Sequence, residues 1–196
     1  MSHVINKVIF HREMNPTPKK IKAQLIYVLL IVFGLCFAIL FSFRYGGRWI
    51  ENDTATMNYL ISNMQSDRTL TPLKATYIHG FLFQAFSMLM LDLSGLDLSL
   101  MLTRIYPFIS IILLISGAWY LFSQAGNDVF ETALAVLLLC FQSEVLFVIF
   151  RGSHEKLDWP LMMLSLSFLF KSLKSGGIQL AFHIFLFYLV AFAQIS

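Results

Sequence analysis

The run Ile21–Phe43, IKAQLIYVLLIVFGLCFAILFSF, sets the fold class of this chain. As a helix it is long enough to cross the ~30 Å hydrocarbon core of a bilayer, which takes about 20 mostly apolar residues. It is too long for a signal-peptide core and gives way to Arg44-Tyr45 with no small-residue cleavage pattern, so the sequence predicts a retained first span. The 20 residues before it carry Lys7, Arg12, Lys19 and Lys20 against a single Glu13. That excess of positive charge places the N-terminus in the cytoplasm.

Composition agrees. Of 196 residues, 58% are hydrophobic and 13% charged, and the mean hydropathy is +0.73. Soluble domains run near 45–50% apolar with about 25% charged, so the chain is read as an integral membrane protein. Long apolar runs fit spanning helices and do not fit the weak alternation of a membrane barrel, so the expected fold is all-α. A net charge of +3 without a basic stripe argues against a nucleic-acid partner. Cys36 and Cys140 lie inside apolar runs, where a thiol behaves as a small hydrophobe.

Outward from the first span, residues 44–97 form an expected external loop. Asp53 or Thr54 is placed to cap a short helix in which Met57, Leu60, Ile61 and Met64 recur at i, i+3, i+4 and i+7, a pattern suited to the membrane interface. Tyr77–Leu91 is apolar but short for a span. Further spans are expected at about 98–122, 129–150, 159–173 and 178–196. Asp158 before Trp159-Pro160 reads as an N-cap with proline in the first turn.

The placement of 77–91 decides whether the polar groups can cooperate. If it stays on the outer face, Asp53 and Asp158 face the same compartment; if it crosses, they face opposite ones. The first arrangement puts Lys171 and Lys174 in the cytoplasm and is preferred.

Two polar clusters carry chemistry. Glu51 and Asp53, one residue apart at the end of the first span, can hold a divalent cation or take a proton from a hydroxyl nucleophile. Their simplest structural role is a cap for Asp53 and an Arg48 partner for Glu51. His154, Glu155 and Asp158 form the second cluster, and His154 and Asp158 share a helix face if the helix begins early. His79 before Gly80 is placed to line a site. Arg104 near a span end suits a phosphate, or simply snorkels to the interface.

The order of these features resembles the N-terminal module of the GT-C membrane glycosyltransferases, the superfamily of protein O-mannosyltransferases and lipid A aminoarabinose transferases. The likeness rests on Trp49-Ile-Glu51-Asn-Asp53 after the first span, Tyr77-Ile-His79-Gly80, Gly95 ahead of Arg104, and Ser153-His-Glu-Lys-Leu-Asp158. The resemblance implies a catalytic or acceptor-positioning role for Asp53 with Glu51 assisting, and a second acidic position at Asp158. His79, Arg104, His154 and Glu155 are the substrate-binding candidates among the polar residues. The resemblance also implies a polyprenyl-phosphate sugar donor and a membrane-lipid environment. Some members place a divalent metal near such acids, here Asp53 and Asp158, and others work without one. The pair here is Glu-x-Asp where many relatives have adjacent acids. Members are usually much longer, so a fragment, a truncated reading frame and a reduced module completed by a membrane-protein partner are all open.

Two other classes stand beside this one. A noncatalytic membrane subunit would keep the fold and bind a partner. A small transporter using Glu131 and Glu144 is disfavoured, since those residues fall about 220° apart on an ideal helix and no inverted repeat is visible.

Overall fold

The structure is a computed structural model that describes residues 18–45, 52–68, 81–126, 128–150 and 154–195, and of residues 43–45, 52, 53, 81 and 189–195 the backbone alone. Among the described residues every regular element is helical and no strand forms, as the composition predicts. The elements are α1 (Pro18–Tyr45), α2 (Asn52–Asp67), α3 (Phe81–Ser94), α4 (Leu98–Leu100), a π-helical turn (Met101–Ile105), α5 (Tyr106–Ala125), α6 (Val129–Cys140), α7 (Ser143–Phe150), α8 (Glu155–Leu173) and α9 (Gly177–Ile195). Among the described residues two helices are long and apolar enough to cross a membrane, Pro18–Ser42 and the continuous rod Leu98–Ala125, and α6 with α7 makes a third if that bent pair is one span.

The rod is the axis of the molecule. α1 runs antiparallel to it: Tyr27 Oη lies 2.7 Å from Ser116 Oγ and its ring 5.6 Å from Trp119, while farther along α1 Gly34 sits against Ile115 and Ile111. α8 runs parallel to it. Lys156 Nζ reaches the Leu102 carbonyl at one end (2.6 Å), and at the other Gln124 Nε2 donates to the Ser167 carbonyl (3.0 Å) and Lys174 Nζ to the Gln124 carbonyl (2.7 Å).

Between rod and α8 the chain returns through α6 and α7 alongside α1. Phe141 meets Phe33 and Phe37, and Phe150 stacks on Phe41 at 4.3 Å. One end of the bundle therefore gathers the end of α1 with the starts of the rod and α8. The opposite end gathers Lys19, Lys20 and Lys22 with Lys171 and Lys174.

Close approach of α5 and α8 depends on Gly117. A Cβ there would stand 3.1 Å from the Leu164 nitrogen, 3.2 Å from Met163 Cβ and 3.3 Å from the Pro160 carbonyl oxygen. Pro160 belongs to the interior of α8, where it removes one backbone donor and bends the helix ladder locally. At the other end of α3, Gly95 takes φ 65°, a left-handed conformation that lets its N–H close on the Leu91 carbonyl at 2.8 Å and turns the chain into α4.

α2 and α3 cover the end of the bundle where the rod starts. Met57, Ile61 and Met64 of the expected α2 face are buried and Leu60 is half-buried; Met57 and Ile61 pack with Leu98, Met101, Leu102 and Tyr106 of the rod, with Leu157 of α8 beside them. α3, at 14 residues, is about 21 Å long, shorter than a hydrocarbon core.

Several sequence expectations are corrected. α8 begins at Glu155, a turn earlier than expected, so Asp158 lies inside its first turn instead of capping it. α2 begins at Asn52, so Asp53 and Thr54 are within the helix, and the Thr54 hydroxyl is buried. The expected span 129–150 is broken by 66°. The polar stretch Gln142-Ser143-Glu144 sits exposed at that break, where Gln142 N–H tightens onto the Leu139 carbonyl and Glu144 enters the first turn of α7, a favourable place for a carboxylate. Lys19, Lys20 and Lys22 belong to the first turns of α1, which starts at Pro18.

The Gly117 contact gives a direct test. Gly117→Val must push the α5 and α8 backbones away from each other, and overpacking of this kind destabilises by about 1–3 kcal/mol. The thermal midpoint in detergent should fall clearly for Gly117→Val and less for Gly117→Ala. An unchanged midpoint for the valine variant contradicts the packing described.

Candidate functional site

Three helices leave a groove between them. From α3, Leu82, Phe83 and Phe86 face it at i, i+1 and i+4; from α5, Tyr106, Ile109 and Leu113 at i, i+3 and i+7; from α8, Leu157, Asp158 and Leu161. These are the spacings that put side chains on one side of a helix. The cavity measures about 330 Å³, at the lower end of ligand sites, and its lining is apolar except for Asp158 and the Tyr106 hydroxyl. Tyr106 O–H donates to Ser87 Oγ at 2.8 Å and its ring packs 5.2 Å from Phe83, so it ties the α3 wall to the α5 wall.

Asp158 is the charged group of the groove. Burial pushes its carboxyl up to about 6 from 3.8, and the neighbouring Glu155 carboxylate adds to the rise. His154 Nε2 stands 3.8 Å from Asp158 Oδ2, one turn back on the same face, close enough for an ion pair whenever the imidazole is protonated. The early start of α8 thus brings together the cluster His154, Glu155 and Asp158 that the sequence singles out.

Beside this cluster, Lys156 is wholly buried. Burial lowers its ammonium to about 7 from 10.5. It lies with Asp158 in the polar first turn of α8, ahead of the apolar stretch that starts at Trp159. Its burial is not legible from the neighbouring residues in the sequence. The overlooked signal is Pro107, which deprives a carbonyl one turn back of its donor and calls for a replacement.

The remaining candidates are placed as follows. Asp53 lies in the first turn of α2 at this same end of the bundle, with its side chain outside the described residues. Glu51, His79, Arg48 and Arg151 also lie outside the described residues. Arg104 is exposed on the π-helical turn and does not line the groove. Glu131 and Glu144 are exposed in the first turns of α6 and α7, on two helices that bend apart, so they form no shared path.

Among the described residues no three His, Cys, Asp or Glu side chains converge to hold one ion, and of the expected pair Asp53 and Asp158 the Asp53 side chain lies outside them. Comparison with known proteins gives no family model, curated protein or solved structure that matches the chain.

The two shifted groups set opposite pH dependences. Asp158 is raised on folding, so its contribution is full below about pH 4 and is lost as pH rises through about 6. Lys156 is lowered on folding, so the unfolded chain binds the extra proton between about pH 7 and 10.5, and stability rises with pH across that window. Thermal midpoints of the wild type should therefore fall from pH 4 to 6 and rise from pH 7 to 9.5. Asp158→Asn should remove the first slope alone, and retention of that slope in the variant contradicts the assignment.

Proposed function

We propose that the chain is a GT-C-like module of a membrane glycosyltransferase, moving a sugar from a polyprenyl-phosphate donor to an extracytoplasmic acceptor. One observation carries this reading: an apolar groove, sized for a section of a single hydrocarbon chain, includes the acidic residue Asp158 in its described lining. In this arrangement α1 leaves the cytoplasm, α2 and α3 lie at the outer interface, and Trp159–Leu173 returns. The gathering of Lys19, Lys20, Lys22, Lys171 and Lys174 at the opposite end supports that orientation, because basic residues collect on the cytoplasmic side.

The chemistry follows from the groove. Prenyl carbons occupy the wall of Phe83, Phe86, Ile109 and Leu161, and the phosphate and sugar stand at the mouth. Asp53, with Glu51 beside it in sequence, takes the proton of the attacking hydroxyl as its oxygen bonds to the anomeric carbon with inversion. The bond from that carbon to the phosphate oxygen breaks, and polyprenyl phosphate leaves. Burial favours the protonated form of Asp158, and in that form it donates to the departing phosphate oxygen, which its carboxylate would repel.

A second reading, a noncatalytic membrane subunit, is favoured by one observation. α9 packs chiefly on α8 and leaves Ile178, Phe182, Phe185 and Tyr188 exposed, a face that a partner helix could cover.

Transfer from a polyprenyl-linked sugar separates the two readings. Asp53→Asn and Asp158→Asn should each lower turnover by about 10²-fold or more, the usual range for a lost acid or base. Leu161→Trp, which fills the groove, should raise the KM for the lipid donor. Transfer indifferent to all three, together with co-purification of a partner at fixed stoichiometry, contradicts the enzymatic reading and supports the second.

A further inference from the structure

The π-helical turn Met101–Ile105 has a local cause and a remote remedy. Tyr106 N–H donates to the Met101 carbonyl, five residues back, as a π turn requires. The Leu102 carbonyl comes next in that register, and the amide that should serve it belongs to Pro107, which has no N–H. In the alternative α register, its donor would be Tyr106, already engaged. An orphan carbonyl inside a buried, apolar helix is expensive, and Leu102 is fully buried. Lys156 supplies the missing donor from α8, with its Nζ 2.6 Å from that oxygen.

The consequence reaches the groove from both sides. Tyr106 is the first residue after the π turn, so the turn fixes the direction in which its ring and hydroxyl point, and through Ser87 the position of α3. Lys156 is followed at once by Leu157 and Asp158, which line the groove from the α8 side.

We propose that Lys156 is a positioning residue: by serving the carbonyl that Pro107 orphans, it locks the π turn and thereby sets the width of the groove and the place of Asp158 in its lining. This deepens the function proposed above and rests on that reading only for the identity of the ligand. Lys156 itself touches no substrate, since it is sealed from the cavity.

The test uses the full chain in lipid nanodiscs, with Cys36 and Cys140 replaced by Ala. Three quantities are read: the thermal midpoint, the rate at which Leu161→Cys in the groove reacts with a small maleimide, and the affinity for a spin-labelled farnesyl phosphate. Lys156→Met keeps the bulk and deletes the donor. It should lower the midpoint, change the labelling rate at Leu161→Cys by about tenfold and weaken the probe by about tenfold, the effect of one lost hydrogen bond to a buried group. Adding Pro107→Ala returns a backbone N–H for the Leu102 carbonyl, so Pro107→Ala/Lys156→Met should recover all three. If Lys156→Met does not fold, a folded double variant supports the coupling and an unfolded one overturns it. Wild-type labelling and probe affinity in Lys156→Met, or no recovery in the double variant, overturns the positioning role. A wild type that never binds farnesyl phosphate overturns the lipid-donor reading instead, while the midpoints and labelling rates still decide the role of Lys156.

Discussion

The parallel packing of α5 and α8 is the constraint on which the rest depends. Two helices that run the same way need the chain to cross back between them, and α6 and α7 do so along α1. Their contact is close in the middle because Gly117 has no side chain there, and it is pinned at both ends by hydrogen bonds to backbone carbonyls. Side chains that hold backbone carbonyls across helices are scarce in an apolar bundle, and each one fixes register as well as distance. From that register follow the groove and the place of Asp158 in its lining.

Much of the fold is legible in the sequence. Ile21–Phe43 reads as a long helix from length alone, and the Met57, Ile61 and Met64 face of α2 reads from its period. The misplaced boundaries share a cause. Asp158 and Asp53 look like caps because acidic residues near helix starts usually are, yet both helices extend a little further back. The break between α6 and α7 is hidden because Gln142-Ser143-Glu144 is too brief to lower the average hydropathy of its surroundings.

The site is less legible, for a physical reason. His154, Glu155 and Asp158 are adjacent in sequence, so their association is local and readable. The groove is not local: its walls come from three helices, and each wall residue taken singly is an ordinary Leu, Ile or Phe. Lys156 is the clearest case. A lysine beside a helix start normally reaches water, and only the orphan carbonyl across the bundle explains its burial. Finding it requires pairing Pro107 with a residue 49 positions away, which no window along the chain can do.

Sidedness is the most direct test of a shared outer site. In sealed vesicles, with Cys36 and Cys140 replaced by Ala, single cysteines at Ser66 on α2, Asp158 on α8 and Lys174 beyond the end of α8 can be probed with an impermeant maleimide. Ser66→Cys and Asp158→Cys should react from one side and Lys174→Cys from the other. Reaction of Ser66→Cys and Asp158→Cys from opposite sides would contradict a common compartment for α2 and the start of α8.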